Sequence, residues 1–238
     1  MVSPIRLSLV LTLLVAGCAR QQGGWVDEQS APGPRLVRIS DKLQVDLDRR
    51  LVLVQAEVCL RSGWLEQVAC GPSTREHESI LVIDVPPSQI HAALMMAGFK
   101  PGAPGSWSYD NDQLTVNPPT GPQVNMLVRP SDEPAAIPEP LGAWVRNSVT
   151  GETLEDATWT FAGSFIIDDA RARDLPSRYA ADMSGSIIGL VTFGDEMLAY
   201  PDVRSESVQV DEAIWQCNTE AIPEEGTGVT IILSHPGK

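Results

Sequence analysis

Histidine, cysteine and aromatic side chains are scarce in this chain of 238 residues: three His, four Cys, and 5% Phe, Trp and Tyr. Base is short as well, with 17 Lys and Arg against 31 Asp and Glu and a net charge of −14. Such a chain lacks the basic stripe that neutralises phosphates, which excludes nucleic acid and argues against anionic lipid headgroups as partners. Its field favours cations or basic partners, or serves solubility alone. Long apolar runs are absent too. The most apolar stretch, Leu7 to Ala16, has about ten residues, too few for a permanent membrane-spanning helix. No Cys-x-x-Cys pair or Gly-rich phosphate loop occurs. Ser184-Gly185-Ser186-Ile187-Ile188-Gly189 lacks nucleophile-elbow spacing. His77-Glu78 lacks the second histidine of a zincin helix.

What is present begins at the leader. Arg6 is a short basic flank, Leu7–Ala16 an apolar core, and Leu14-Val15-Ala16-Gly17-Cys18 follows. This resembles the lipobox of bacterial lipoproteins. The resemblance implies a signal peptide over 1–17, cleavage before Cys18, and lipidation of its thiol. Two acyl chains there give stable anchoring where one is marginal. The expected site is the cell envelope, facing the periplasm or exterior. Ala19 stands where an aspartate signals inner-membrane retention in enteric bacteria, which leans towards the outer membrane. Removing 1–17 takes away one base, Arg6, and no acid, so the mature chain is one unit more negative. Residues 18–35, with Gly23, Gly24, Pro32, Gly33 and Pro34, read as a flexible tether.

The pattern then becomes period two. Leu43, Val45 and Leu47 alternate with polar residues, and Val52, Val54, Ala56, Val58 and Leu60 form one apolar face opposite Gln55, Glu57 and Cys59. A turn at Ser62–Glu66 would return Leu65–Cys70 as a hairpin partner. That register sets Cys59 opposite Cys70, near disulfide geometry in an oxidising compartment. Cys217 is then left free. Ser79–Val85 is apolar on both faces and reads as a buried central strand. Ser88 is the expected N-cap of a helix over 89–97 with the stripe Ile90, Ala93, Leu94 and Ala97, closed by Gly98. Later strands are expected at 124–129, 143–146, 158–167, 186–193, 197–200 and 229–233, with a hairpin across Gly194-Asp195-Glu196. These readings give an α+β class: β-rich, mostly antiparallel sheets with one helix at about 89–97. A single domain is expected over 36–238, with a possible subdomain break at the proline-rich stretch 130–140.

The most chemically dense segment is Thr74-Arg75-Glu76-His77-Glu78-Ser79, placed before a buried strand where sheet-end sites form. Glu76 or Glu78 could serve as acid or base, and His77 adds the residue type that can switch its charge near neutral pH. Cys59, Cys70 and His77 are the candidate set for a redox or metal site, although their spacing fits no compact zinc motif. Tyr109-Asp110-Asn111-Asp112 lacks the glycine and distal glutamate of a calcium loop and reads as a polar turn. His91 flanks the helix stripe and reads as a surface residue. His235 lies near the fraying end.

Several segments are similar to the bacterial YdjY-domain family. They are Glu57-Val58-Cys59-Leu60, Gly63-Trp64-Leu65-Glu66, Thr74–Ser79, Ile90-His91-Ala92-Ala93-Leu94, Trp159–Ser164 and Gly185–Thr192. The resemblance spans roughly 36–234 and implies one family-wide domain behind the tether. It points to Cys59, Cys70, Glu76, His77 and Glu78 and implies no specific activity. Some members carry a ferredoxin-like label, but iron–sulfur clusters usually need four clustered thiolates. The expected function is a non-catalytic envelope lipoprotein that binds an envelope protein or polymer through Glu57, Glu76, His77 and Glu78. No cofactor or metal is expected. The alternative is a redox or metal-dependent protein using Cys59, Cys70 and His77.

Overall fold

A computed structural model describes residues 35–110, 113–168, 177–207 and 209–237. The leader, Cys18 and all of the tether but Arg35 lie outside them. Pro34–Lys238 is one compact unit.

Among the described residues the strands are β1 (Leu36–Ser40), β2 (Leu43–Asp46), β3 (Leu51–Val58), β4 (Gln67–Cys70), β5 (Ser79–Val82), β6 (Ser106–Asp110), β7 (Gln113–Asn117), β8 (Gln123–Pro130), β9 (Glu139–Pro140) and β10 (Val145–Asn147). They continue as β11 (Trp159–Phe161), β12 (Ile166–Ile167), β13 (Arg178–Tyr179), β14 (Ser186–Gly189), β15 (Leu198–Ala199), β16 (Trp215–Cys217) and β17 (Gly228–Ser234). The helices are α1 (Pro87–Met96) and α2 (Ala180–Ser184).

Eight strands close a barrel in the order β3-β17-β8-β11-β15-β14-β4-β5, with β5 pairing back onto β3. β3 carries β17 along one edge; its other edge carries β2 at its start and β5 at Glu57 and Val58. The alternation read from sequence supplies the core. Val54 lies beside Ile231, which lies beside Val128, and Val52, Leu233 and Met126 make the adjacent layer. All six are buried, whereas Gln55 and Glu57 face solvent. At about 25 cal/mol per Å² of apolar surface removed from water, these layers are the main source of stability.

α1 packs on β2 and β3. Ile90, Ala93, Leu94 and Ala97 are buried, as the stripe requires. Pro86, not Ser88, is the N-cap, and Pro87 begins the helix, where its missing N–H costs nothing. Gly98 follows the helix at φ +92°, a conformation that disfavours any residue with a Cβ.

The α+β expectation is overturned. The core is all-β, with a closed barrel and a mixed sheet, and the two α-helices among the described residues have only 10 and 5 residues. β4 runs parallel to β5, and β14 runs parallel to β15. The hairpin expected across Gly194-Asp195-Glu196 therefore does not form. The loop between these strands is tied elsewhere: Leu190 and Val191 N–H donate to Glu66 O, and Thr192 N–H donates to Arg204 O. The expected strand 158–167 is broken after Phe161 by left-handed Gly163 and Ser164. Period-two alternation sets which side chains face inward, but it sets neither a strand's partner nor its direction.

The hairpin joining Cys59 to Cys70 is corrected for the same reason. β5 lies between β3 and β4, so the strands that lead to the two cysteines are not neighbours. Cys59, Cys70 and Cys217 are free thiols in this structure.

Candidate functional site

The segment Thr74–Ser79 forms a tight turn, helical over Glu76–Glu78, at the mouth of β5. Both thiols hold it. Cys59 Sγ donates to Ser79 O at 3.1 Å and approaches Glu76 O at 3.8 Å. Burial pushes its pKa up to about 12, helped by Cys70 and Glu76 nearby. Burial also raises Cys70, against the pull of Ser79, the Arg75 backbone and Thr74. Thiols held protonated in this way are weak nucleophiles and weak metal ligands. Gly185 permits the close approach behind the turn, since a Cβ there would sit 2.4 Å from Thr74 Oγ1.

The expected binding set is divided between two surfaces. Glu57 and Glu76 line a recess of about 470 Å³ together with Lys42 and Asp84, which form an ion pair at 2.6 Å. Glu76 has a local task as well: its Oε1 accepts the Ser73 N–H at 2.6 Å, where Ser73 is left-handed. Glu78 and His77 belong to a different cluster. Arg75 Nη1 lies 3.6 Å from Glu66 Oε2 and 4.0 Å from Glu78 Oε1. Its guanidinium sits 3.6 Å from the centre of the Phe193 ring, a cation–π contact. His77 Nε2 is 3.7 Å from Glu78 Oε2, and the His77 side chain is 77% exposed.

Glu66 is the residue that sequence reasoning did not single out. Its carboxyl is pushed up to about 7 by burial first, then by its hydrogen bond to Glu78 and that group's charge, with Arg75 pulling it down. Its backbone fixes the cluster: Glu66 N–H donates to Glu78 O at 3.0 Å, and its carbonyl accepts the Leu190 and Val191 N–H groups. Phe193 is positioned by Glu196, which is fully buried and accepts the N–H groups of Phe193 and Gly194. Burial pushes the Glu196 carboxyl up to about 7, against those same N–H donors. Nothing in the sequence marks Glu196 apart from Asp195 beside it.

A second site lies on the α1 flank. Ser88, His91, Pro101, Gly163, Phe165, Ile166 and Tyr179 line an apolar cavity of about 380 Å³. His91 is half-buried there, edge-on to Phe161 and Tyr179 at 5.0 and 5.5 Å, and burial lowers its pKa. It is not the surface residue expected from its helix position. Tyr179 Oη donates to Gly163 O at 2.8 Å and lies 2.9 Å from His91 Nδ1. Ser164 is left-handed at φ +50°, a strain of about 1–2 kcal/mol for a residue with a Cβ. Its Oγ accepts the Ala181 N–H at 3.2 Å, which holds α2 against the cavity floor. His235, far from free at its chain position, stacks on Phe99 at 3.8 Å.

No three His, Cys, Asp or Glu side chains among the described residues are arranged to hold a metal ion. Among those residues no helix is long and apolar enough to cross a membrane.

The fold therefore defines a small closed β-barrel with a charged turn at one mouth and an apolar cavity on one flank. The YdjY-domain family model matches residues 43–234, and the chain belongs to the YdjY-domain family. No curated protein and no solved structure matches it.

Proposed function

We propose that this YdjY-domain protein is an extracytoplasmic lipoprotein, anchored through Cys18, that acts as a non-catalytic binding module of the cell envelope. The leader's lipobox-like order supports the anchor and the address, with the outer membrane favoured by Ala19. The observation that carries the binding reading is the rim formed by Glu66, Arg75, Glu78 and Phe193. Arg75 is pinned on one side by the Phe193 ring and on the other by two carboxylates, and it is still 30% exposed. A guanidinium held this way has lost its rotamer freedom before any partner arrives, which lowers the cost of docking. His77, beyond it, is open to contact. The partner is an envelope protein or polymer that presents carboxylates to Arg75 and hydrogen-bond donors to Glu78. Thiols raised by burial weigh against the redox alternative built on Cys59, Cys70 and His77.

The test uses the full lipidated chain in its own cells, with His77 replaced by a photo-crosslinking amino acid. One discrete adduct, lost when Arg75→Ala is added and absent when the crosslinker stands at Leu114, supports the reading. Equal adducts from both positions, or none from position 77, overturn it. Alkylation of the native domain gives an independent measure: Cys59 and Cys70 should react with iodoacetamide far more slowly than in urea. Fast native labelling would bring the redox alternative forward.

A further inference from the structure

We infer that the cavity beside α1 is a binding site for an uncharged, largely apolar small molecule that donates one hydrogen bond to His91 Nε2. This site is separate from the charged rim and does not rest on the rim's proposed role.

The geometry fixes the protons. Gly163 O can only accept, so the single Tyr179 hydroxyl proton goes to it at 2.8 Å. Tyr179 Oη is then an acceptor towards His91 Nδ1 at 2.9 Å, so Nδ1 carries the imidazole proton. The Gly163 backbone also acts on the ring as a hydrogen-bond partner, and Nε2 is the nitrogen left with a lone pair. The buried ring also disfavours a charge on His91. The imidazole is thus presented to the cavity as a neutral acceptor of fixed tautomer.

The walls set the rest of the ligand's character. Pro101, Phe165, Ile166 and the Tyr179 ring supply apolar surface, and among the described residues no Asp, Glu, Lys or Arg side chain lines the cavity. Asp182 lies near the rim of this site, where its Oδ1 accepts the Ser88 N–H at 2.8 Å, and its charge opposes an anion. The volume of about 380 Å³ falls within the usual range for small-molecule sites, roughly 300–1,000 Å³. Room on the floor depends on Gly163: a Cβ there would meet Pro101 Cβ at 2.5 Å and His91 Cε1 at 3.3 Å. Phe165 and Ile166 are 48% and 59% exposed at the entrance. An apolar pocket with one oriented polar group selects by shape and by that single hydrogen bond, because a partner unable to make it leaves a polar atom unpaired.

Three probes separate these features. 1-Naphthol is neutral and donates a hydrogen bond, 1-methoxynaphthalene is neutral and donates none, and 1-naphthoate is an anion. Titrations of the folded domain, followed by NMR, should show saturable shifts at His91, Gly163 and Tyr179 with 1-naphthol. The methyl ether should bind at least fivefold more weakly, and 1-naphthoate should not saturate. His91→Phe should lower 1-naphthol to the affinity of the ether and leave the ether unchanged, the signature of a lost pairwise hydrogen bond. Because His91→Phe could disturb packing, Ile166→Glu is the companion variant. Ile166 is exposed, so the fold should be kept while binding of both neutral probes falls. Equal affinity of wild type for naphthol and ether overturns the hydrogen bond to His91. Shifts that spread without saturation, or that persist unchanged in Ile166→Glu, overturn the site itself.

Discussion

The mouth of the barrel and its α1 flank use polar groups in opposite ways. At the mouth, Arg75, Glu66 and Glu78 neutralise one another and keep one face open to water. On the flank, the Tyr179 hydroxyl links His91 to a backbone carbonyl, and among the described residues no Asp, Glu, Lys or Arg side chain lines the cavity around them. The comparison teaches that charge density in a sequence locates a rim, whereas a pocket is made by residues that look unremarkable one at a time. Thr74–Ser79 draws attention because all six of its residues are polar and four of them, Arg75 to Glu78, are ionisable and consecutive. Ser88, Pro101, Gly163 and Tyr179 come from four separate parts of the chain.

The comparison breaks most sharply at Glu196. Glu196→Ala leaves the Phe193 and Gly194 N–H groups without an acceptor in a buried loop, and should cost about 2–4 kcal/mol in urea unfolding. Phe193 should come off Arg75 with it, while the His91 cavity keeps its NMR shifts. Loss of both regions together would mean that they are one cooperative unit.

Next in size is a pH effect of the rim and its support. Glu66 and Glu196 keep their protons up to about pH 7 when folded, against about 4.5 as free groups. Between those values the folded state binds more protons, so stability is fully present below about 4.5 and is lost as pH rises through about 7. Glu66→Gln should remove about 2 kcal/mol of that slope, allowing for its partial exposure. Unfolding midpoints measured from pH 5 to pH 8 check this, and an unchanged slope would remove Glu66 as its source. On the flank the sign is opposite: burial lowers the His91 pKa, so its contribution to stability grows as pH rises towards 6.5, the value of the free group.

Tyr179→Phe sharpens the contrast from the other side. It removes one hydroxyl that bridges His91 and Gly163, for about 1 kcal/mol. Without that partner the imidazole tautomer is no longer fixed, and ¹⁵N shifts of His91 should move towards a mixture. Smallest of all, Arg75→Lys should cost roughly 0.5–1 kcal/mol through the weakened contact with Phe193. Denaturation at low and high salt separates that packing loss from the ion pairs, which salt screens.

Much of the strand content was legible. Val52, Val54, Ala56 and Val58 announced the inner face of β3, and Val229, Ile231 and Leu233 that of β17. Ile90, Ala93, Leu94 and Gly98 announced α1 and its end. Closure was not legible. The pairing of β5 with β3 sets a strand between the two cysteines, and no local pattern encodes a neighbour inserted from outside a hairpin. The parallel course of β14 and β15 was hidden for a related reason: Gly194-Asp195-Glu196 has turn composition, but Glu196 folds back to cap its own loop. Of the candidate site residues, Glu78 meets Arg75 at the rim with His77 on its other side, whereas Glu57 and Glu76 face the Lys42–Asp84 recess.

The strand closest to the end of the sequence, β17, sits between β3 and β8 and completes both. Until it is available, Val52–Glu57 and Asn125–Pro130 present unpaired edges, and the barrel cannot shut. Pairing at such long sequence separation is slow to form. The barrel therefore stays open until that one strand pairs on both of its sides. The same topology leaves the edges of β3 and β8 exposed to wrong partners for as long as β17 is unpaired.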